Sequence, residues 1–192
     1  MNPIRAFIAI DLPPSLQKPL ERQISRLRKA LGDDFIRWVP IENMHLTVKF
    51  LGNIAAAHLE FIKQMMTQAA DSTLRFDLTL NGLGSFPNPN RIRILWAGVH
   101  AGSGLASLQR EIELGAERLG FERGKRPFSP HLTIGRVRQG TDAKDMRKIS
   151  DALNSQSGGE FASAKINSVH LYQSDLRADG SVYTKLHSAS MR

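Results

Sequence analysis

The sequence predicts a duplicated fold in which strands are covered by helices, with one polar strand at the centre of each half. Two observations support this prediction. The pattern His-Leu-Thr-aliphatic occurs twice, at residues 45–48 and 131–134. A strand pattern and then a helix pattern precede each copy, so the same order of elements occurs once in each half. We therefore expect residues 1–192 to form a single bilobal domain that arose by internal duplication, with one motif from each half.

In the first half, strand and helix patterns alternate along the chain. Residues 4–12 alternate as a strand, and residues 16–31 keep helical spacing up to a stop at Gly32. A short strand at 35–39, the first motif strand up to Gly52 and a second helix at 55–70 follow. A strand at 74–80 leads into residues 81–90, which are rich in glycine and proline and predict a loop. We place the crossing between the halves there, before a strand at 91–99.

The second half resumes with a helical pattern over residues 102–119, closed by Gly120. A basic loop then leads to the second motif strand, which begins at His131. A short helix at 142–153, a loop at 154–159 and a strand at 164–172 come next. Asp179 and Gly180 predict the hairpin turn that joins this strand to a last one at 182–189.

Each motif predicts a strand with two chemically different faces. Alternate side chains of a strand share a face, so His45 and Thr47 lie on one side and Leu46 on the other. The same parity places His131 with Thr133. If the two halves pair about an approximate two-fold axis, both polar fronts face a single cleft.

Composition limits the classes of function that the chain can have. With no cysteine among its 192 residues, the chain has no disulfide scaffold, thiolate nucleophile or Cys-type zinc site. The apolar run at residues 6–10 is too short for a signal segment or a membrane span, so we expect a cytoplasmic protein without membrane contact. An excess of 26 Lys and Arg over 18 acidic residues gives a net charge of +8, which favours a polyanionic partner.

Two imidazoles on opposite walls of a cleft suit an in-line displacement at phosphorus. One group takes a proton from the attacking oxygen and the other gives a proton to the leaving oxygen, and imidazole can do either near neutral pH. Thr47 and Thr133 can donate hydrogen bonds to the phosphate oxygens. This scheme needs no metal and no cofactor, and neither motif supplies the third ligand that a metal site requires.

Two stretches, 43–52 (NMHLTVKFLG) and 126–136 (RPFSPHLTIGR), resemble the paired signatures of the two-histidine (2H) phosphoesterases. The similarity is greatest to the branch of RNA 2′,3′-cyclic phosphodiesterases, also called bacterial-type 2′-5′ RNA ligases. Residues 5–13, 96–99 and 171–176, together with Gly180 and Tyr183, also match, so the resemblance spans essentially the whole chain.

This resemblance implies a bilobal, pseudo-two-fold α+β fold with two mainly antiparallel sheets lining a central cleft and helices outside. It implies hydrolysis of RNA 2′,3′-cyclic phosphate ends to 2′-phosphomonoesters without metal or cofactor, with 2′-5′ ligation as the reverse reaction. The residues that match the family's catalytic pair are His45 as proton donor and His131 as proton acceptor. Thr47 and Thr133 match its phosphate-binding threonines. We expect a monomer that acts on tRNA fragments or other short RNA.

Four further residues are candidates for substrate binding, each with a structural alternative. Arg136 matches a family arginine, but strict alternation points it away from His131 unless a bulge follows Thr133. Lys49 shares the parity of His45 and can reach a neighbouring phosphate, or it is a solvated lysine. Phe7 and Phe128 can stack a base or pack in the core.

Two other functions stay open at this stage. The same chemistry can serve a small cyclic nucleotide or a cyclic ADP-ribose phosphate. Alternatively, the chain is a non-catalytic RNA-binding module that uses the basic loop with Arg123, Lys125 and Arg126. The module predicts salt-sensitive RNA binding that survives loss of both histidines.

Overall fold

The computed structural model describes residues 3–88, 91–156, 158–177 and 180–192. This part of the chain forms nine β-strands and four α-helices. The strands are β1 (Ile4–Asp11), β2 (Ile36–Trp38), β3 (His45–Ile54), β4 (Phe76–Phe86), β5 (Ile94–His100), β6 (His131–Val137), β7 (Glu160–Ile166), β8 (Ser168–Leu176) and β9 (Ser181–Ser190). The helices are α1 (Pro14–Leu31), α2 (Leu59–Asp71), α3 (Gly102–Arg118) and α4 (Ala143–Ser155). The expected α+β fold is confirmed.

The strands form an antiparallel sheet in the order β7-β4-β5-β6-β3-β1-β8-β9, and β2 pairs with β6 beside this path. The two central strands, β6 and β3, carry the two motifs. Among the described residues, they are joined by one pair, Leu46 with Leu132. The sheet thus consists of two antiparallel halves that meet at this leucine pair.

The two halves of the sheet have a similar order of elements, counted outwards from β3 in one half and from β6 in the other. β1 lies beside β3 and leads into α1, and β5 lies beside β6 and leads into α3. The helices bury the apolar stripes that their spacing predicted: α1 buries Leu16, Leu20, Leu27 and Leu31, for example. α1 ends at Gly32, which has φ 75° and donates its amide to the Arg28 carbonyl. None of the described helices has the combination of length and apolar character that a membrane crossing needs.

Most element boundaries lie within a few residues of the predictions, and two regions differ more. The loop expected at 81–90 is a strand as far as Phe86, because Gly84 serves packing and not a turn. A Cβ atom at Gly84 would overlap the Trp96 indole on the neighbouring strand, so only glycine lets β4 approach β5 this closely. Pro89 and Asn90, also in the expected loop, lie outside the described residues.

The single strand expected at 164–172 is divided between β7 and β8, with Asn167 between them. β7 pairs with β4 in one half of the sheet and β8 pairs with β1 in the other, so the chain changes halves at this point. The hairpin prediction for β8 and β9 holds, since the two strands pair in antiparallel register. Its turn residue Gly180 exchanges backbone hydrogen bonds with Arg177, whereas Asp179 lies outside the described residues.

Candidate active site at the junction of the two halves

The leucine pair brings the two motif strands side by side. Leu46 and Leu132 are each 1% exposed and face the core. The flanking residues of each strand therefore lie on the other face of the sheet. Because Leu46 pairs with Leu132, the residues next to this pair, His45 and Thr47 on β3 and His131 and Thr133 on β6, lie near one another on the opposite face of the sheet.

Both histidine rings are oriented by the same kind of hydrogen bond. Nδ1 of His45 donates to the carbonyl of Asn43 at 2.9 Å, and Nδ1 of His131 donates to the carbonyl of Ser129 at 2.7 Å. A carbonyl only accepts, so each Nδ1 carries a proton and Nε2 is the nitrogen left to gain or lose one. Among the described residues, neither Nε2 has a hydrogen-bond partner. The two imidazoles are thus prepared alike for proton transfer.

Aromatic rings enclose His45. Phe7 stacks on it with ring centroids 4.7 Å apart, and Tyr183 meets it edge-on at 5.1 Å. Burial among these groups lowers the pKa of His45, because the charged form loses hydration. The bond to the Asn43 carbonyl and the charge of Asp11 oppose that shift, whereas the Arg136 guanidinium adds to it.

One aromatic ring also meets His131 edge-on. Phe86, at the end of β4, lies with its centroid 4.9 Å from the imidazole and at 82° to it. Phe86 in turn contacts Trp96 at 5.4 Å, and Trp96 pairs with Thr133 across β5 and β6. The two histidines therefore share an edge-on contact as well as a hydrogen-bond pattern.

A β-bulge follows each threonine. In the pairing of β5 with β6, Trp96 is opposite Thr133 and Leu95 is opposite Gly135, so Ile134 is the extra residue. In the pairing of β1 with β3, Ala9 is opposite Thr47 and Ile8 is opposite Lys49, so Val48 is the extra residue. Beyond each bulge, the side chains lie on the face of the sheet opposite to the one that regular alternation would give them.

The bulge at Ile134 puts Arg136 on the same face as Thr133. Their partners on β5, Ile94 and Trp96, are two residues apart and share a face. This is the geometry that the sequence required if Arg136 was to reach the site. Arg136 is close enough to His45 for its charge to lower the pKa of that imidazole. Arg37 is its cross-strand partner on β2.

The bulge at Val48 moves Lys49 away from the site, so the parity expected for Lys49 is wrong. Lys49 is 6% exposed, and its Nζ donates to Glu113 Oε1 at 2.5 Å and to the carbonyl of Glu122 at 2.6 Å. Glu113 Oε1 also accepts the backbone N–H of Gly124 at 2.7 Å. This buried ion pair connects β3 with α3 and with the start of the basic loop, and a lysine held in this way does not face the histidines.

The two phenylalanines considered for base stacking are placed differently from that expectation. Phe7 is 3% exposed and lies against the rings of His45 and Tyr172, so its faces are not accessible to a base. Its role is to support the catalytic candidate His45. Phe128 is partly buried and packs against the core beside the second motif. Phe50, which was not a candidate, lies on the site face and is 68% exposed.

A polar cluster beside His45 was also missed. Asp11 lies opposite His45 in the pairing of β1 with β3, and it accepts hydrogen bonds from Tyr172 at 2.5 Å and from Lys185 at 2.7 Å. His170 Nε2 lies 3.5 Å from the same carboxylate. Burial raises the pKa of Asp11, but the bonds from Lys185 and Tyr172 and the charge of His170 outweigh it, so this pKa lies below its ordinary value. Only the position of Asp11 at the end of the first strand, in parity with Phe7, hinted at this role.

The groups around the two histidines suit proton transfer and anion binding. They are imidazoles, threonine hydroxyls, a carboxylate that is already hydrogen-bonded, and the Arg136 guanidinium. Within the described ranges, no group of three or more His, Asp or Glu side chains is arranged to hold a metal ion. The basic loop residues Arg123, Lys125 and Arg126 are all exposed, and Arg123 pairs with Glu117.

Comparisons with known proteins agree with this architecture. A family model described as LigT like phosphoesterase matches residues 10–96 and 99–183. The RNA 2′,3′-cyclic phosphodiesterase of Methanothermobacter thermautotrophicus is 32% identical over 183 residues, which are 95% of this chain and 96% of that protein. Among solved structures, a Thermus thermophilus protein aligns with a TM-score of 0.82 at 25% identity, covering 98% of each chain. Escherichia coli LigT complexed with 3′-AMP aligns with a TM-score of 0.77 at 27% identity, again covering 98% of each. Because the family model matches most of its length, the chain belongs to the LigT like phosphoesterase family.

Proposed function

We propose that the chain hydrolyses RNA 2′,3′-cyclic phosphate ends to 2′-phosphomonoesters by paired-histidine acid–base catalysis, without a metal. The observation that supports this proposal best is that the two imidazoles are oriented by equivalent hydrogen bonds. Each donates Nδ1–H to a backbone carbonyl two residues earlier, and each lies next to the Leu46–Leu132 pair that joins the two motif strands. The names of curated relatives, as in the Methanothermobacter thermautotrophicus protein, support cyclic-ended RNA as substrate.

In this mechanism His131 is the base and His45 is the acid. Nε2 of His131 takes a proton from water as the water oxygen bonds to phosphorus. The bond from phosphorus to O3′ breaks, and the proton on Nε2 of His45 passes to O3′, which leaves a 2′-phosphate and a 3′-hydroxyl. Burial lowers the pKa of His45, and the nearby charge of Asp11 opposes that shift, so Asp11 favours the protonated form that a proton donor needs. The bound phosphate anion favours the same protonated form.

The hydroxyls of Thr47 and Thr133 then hold the non-bridging oxygens of the phosphate. Hydrogen bonds of this kind strengthen as charge develops on those oxygens, so they stabilise the transition state more than the ground state. Arg136 supplies a guanidinium for the substrate phosphate on the same face as Thr133. The bulge at Ile134 and the effect of Arg136 on the pKa of His45 support this role.

The decisive experiment is end-group analysis of one product. Purified protein is incubated in chelator with a short RNA that carries a 2′,3′-cyclic phosphate, and the resulting terminus is identified. The proposal expects a 2′-phosphate at an undiminished rate. A 3′-phosphate would contradict the assigned leaving group, and loss of turnover in chelator would contradict the metal-free mechanism.

The same assay separates the other candidate functions. A small-molecule phosphodiesterase turns over nucleoside cyclic phosphates better than RNA, whereas an RNA-binding module binds RNA in a salt-sensitive manner and forms no product. Ligation, the reverse of the cleavage of a 2′-5′ linkage, would use the same site, with the 5′-hydroxyl of a concentrated second RNA attacking phosphorus in place of water.

We propose further that residues 1–192 are a single bilobal domain built by duplication, and that it acts as a monomer on cytoplasmic RNA. The symmetric order of strands around β3 and β6 and the two matched bulges support the duplication. Light scattering on the purified chain tests the monomer, since a dimer would double the measured mass.

A further inference from the structure

A second arginine lies beside Arg136 on the site face of the sheet. Arg37 of β2 is the direct cross-strand partner of Arg136. Directly opposed residues of paired strands place their side chains on the same face. Ile36, the preceding residue of β2, is 1% exposed and belongs to the core, so Arg37 has the opposite orientation. The face that carries Arg37 is thus the face that carries Arg136 and Thr133.

The pairing pattern places β2 next to the first motif strand. β5 occupies one edge of β6 along nearly its whole length, so β2 pairs with the other edge. That is the edge at which Leu132 meets Leu46 of β3. β2 and β3 therefore lie one after the other along the same side of β6. Arg37 is consequently close to the end of the site where His45 begins β3.

The β8–β9 hairpin shows where the Arg37 guanidinium lies. A Cβ atom at Gly180, in the turn of this hairpin, would lie 3.2 Å from Nη2 of Arg37. Farther along the same hairpin, Tyr183 meets the His45 ring edge-on at 5.1 Å. One hairpin thus comes close to both Arg37 and the proposed acid, so the guanidinium lies at the rim of the cleft.

The two neighbouring arginines form a site of concentrated positive charge. Like charges on directly opposed residues of a sheet repel each other and destabilise it. Both arginines are exposed, and Arg136 has no hydrogen-bond or ion-pair partner within the part of the chain that the structure describes. A ligand with more than one negative charge would relieve this repulsion, so the arginine pair Arg37–Arg136 suits a polyanion.

An RNA end with a cyclic phosphate carries its negative charges in a row along the backbone. The reacting phosphate is the first, and the phosphodiester that joins the last nucleotide to the one before it is the second. Arg136 lies near the reacting groups, since its charge acts on the pKa of His45. Arg37, on the adjacent strand and at the rim of the cleft, is placed for the second phosphate.

We propose that Arg37 binds the phosphodiester that joins the cyclic-ended nucleotide to the rest of the RNA, while Arg136 holds the reacting phosphate. This inference rests on the proposed function, because it takes an RNA end as the occupant of the cleft. It adds that the protein recognises at least two nucleotides and therefore binds an oligonucleotide more tightly than a mononucleotide. Phosphate contacts carry no direct sequence information, so the preference holds for any base.

Steady-state kinetics with three substrates test this contact. They are a dinucleotide with a 2′,3′-cyclic phosphate, the same dinucleotide with a neutral methylphosphonate as its internucleotide linkage, and a mononucleoside 2′,3′-cyclic phosphate. On the charged dinucleotide, Arg37→Gln should raise KM by roughly 3- to 30-fold, less than the loss of a buried charged hydrogen bond, because Arg37 is exposed. The change in kcat should be smaller, since the contact is remote from the reacting phosphorus.

The other two substrates show whether the phosphodiester is the group that Arg37 binds. Neither has that negative charge, so the wild type and Arg37→Gln should have equal KM on both. Arg110→Gln removes an exposed arginine of α3 and is the matched control, which should leave all three KM values unchanged. An equal KM penalty for Arg37→Gln on all three substrates would indicate a structural role beside Gly180 and would overturn the proposal. An unchanged KM on the charged dinucleotide would overturn it as well.

The salt dependence of binding provides a second readout. The charged and the neutral dinucleotide are bound to His131→Ala protein, which is expected to be inactive, with and without Arg37→Gln. Loss of one phosphate contact should reduce the slope of log affinity against log salt concentration by about 0.7, on the charged dinucleotide only. An unchanged slope would oppose the proposal.

Wild-type turnover of the charged dinucleotide tests the proposed function independently of Arg37. Failure of the Arg37 contact and failure of the enzyme activity are therefore distinguishable.

Discussion

Asp11 lies directly across the β1–β3 pairing from His45, and its carboxylate is held there by Tyr172 and Lys185. The carboxylate raises the pKa of His45 against the larger opposing effect of burial. Asp11 therefore influences the protonation of His45 through its charge, without a hydrogen bond to the imidazole.

Asp11→Asn should lower the pKa of His45, because it removes a negative charge that favours the imidazolium. If His45 is the acid, kcat/KM should fall more at pH 8 than at pH 5.5, since only the alkaline side depends on keeping His45 protonated. Proton NMR titration of the His45 ring should report the same shift directly. Asp77→Asn, which removes an exposed acid of β4, is the charge-matched control. An increase in activity at low pH would identify His45 as the base instead.

His45→Ala and His131→Ala should each lower kcat by about 10²- to 10⁴-fold, the usual contribution of one general acid or base. The double variant should lose much less than the product of the two, because the groups act in one concerted process. His58→Ala is the control, since His58 is an exposed histidine preceding α2. Full activity in either single variant would rule out the two-proton mechanism.

Thr47→Val and Thr133→Val should each lower kcat/KM by roughly 10- to 100-fold, because each loses a hydrogen bond to a charged phosphate. Valine keeps the shape of threonine, so the fold should be unaffected. Thr47→Ser and Thr133→Ser keep the hydroxyl and should retain most of the activity. Valine variants that keep full activity would contradict a role of the hydroxyls in binding the phosphate.

Lys49→Met should destabilise the fold by about 3 kcal/mol, since it leaves the buried Glu113 carboxylate without its cation. Adding Glu113→Gln should restore part of the loss, because the double variant has no unpaired charge. Urea unfolding followed by circular dichroism measures both changes. If the two single losses simply add in the double variant, the pair has no net coupling.

The free energy of unfolding should decrease as the pH falls from 7.5 to 5.5. Burial lowers the pKa of His45, His170 and His187 in the folded chain. In the unfolded chain their pKa returns to about 6.5, so below that pH the unfolded state binds protons that the folded state does not, and stability is lost.

The measurement is urea unfolding at the two pH values, with His170→Gln as a variant that should weaken the dependence. A free energy of unfolding that stays constant or rises toward pH 5.5 would contradict the prediction.

Local rules of strand geometry predicted the core of the candidate site well. The parity that groups His45 with Thr47 depends only on neighbouring residues, and it needs no knowledge of the rest of the chain. The same rule failed for Lys49 because a bulge at Val48 is created by pairing with β1, which the sequence does not display. For Arg136 the need for a bulge was evident, and the structure has one at Ile134.

Features that depend on distant contacts could not be predicted. Asp11 acquires its partners from Tyr172 and Lys185, which are far away in the chain and meet it only when β8 and β9 join the sheet. Gly84 was interpreted as a turn residue, whereas glycine stands there because the Trp96 ring on the adjacent strand leaves no room for a side chain. This is a tertiary contact, which the local sequence does not reveal. The division between β7 and β8 was hidden because the strand pattern continues on both sides of Asn167.

The lone Leu46–Leu132 pairing has a consequence for how a polymer enters the protein. Beyond this pair, β3 and β6 form no further pair among the described residues, so the two strands diverge towards both ends of the site. In the proposed reaction the cyclic phosphate would lie above the Leu46–Leu132 pair, where the strands are closest, and the rest of the nucleic acid would leave through a wider end. Such a shape would favour a chain end and would place no limit on the length of RNA behind it.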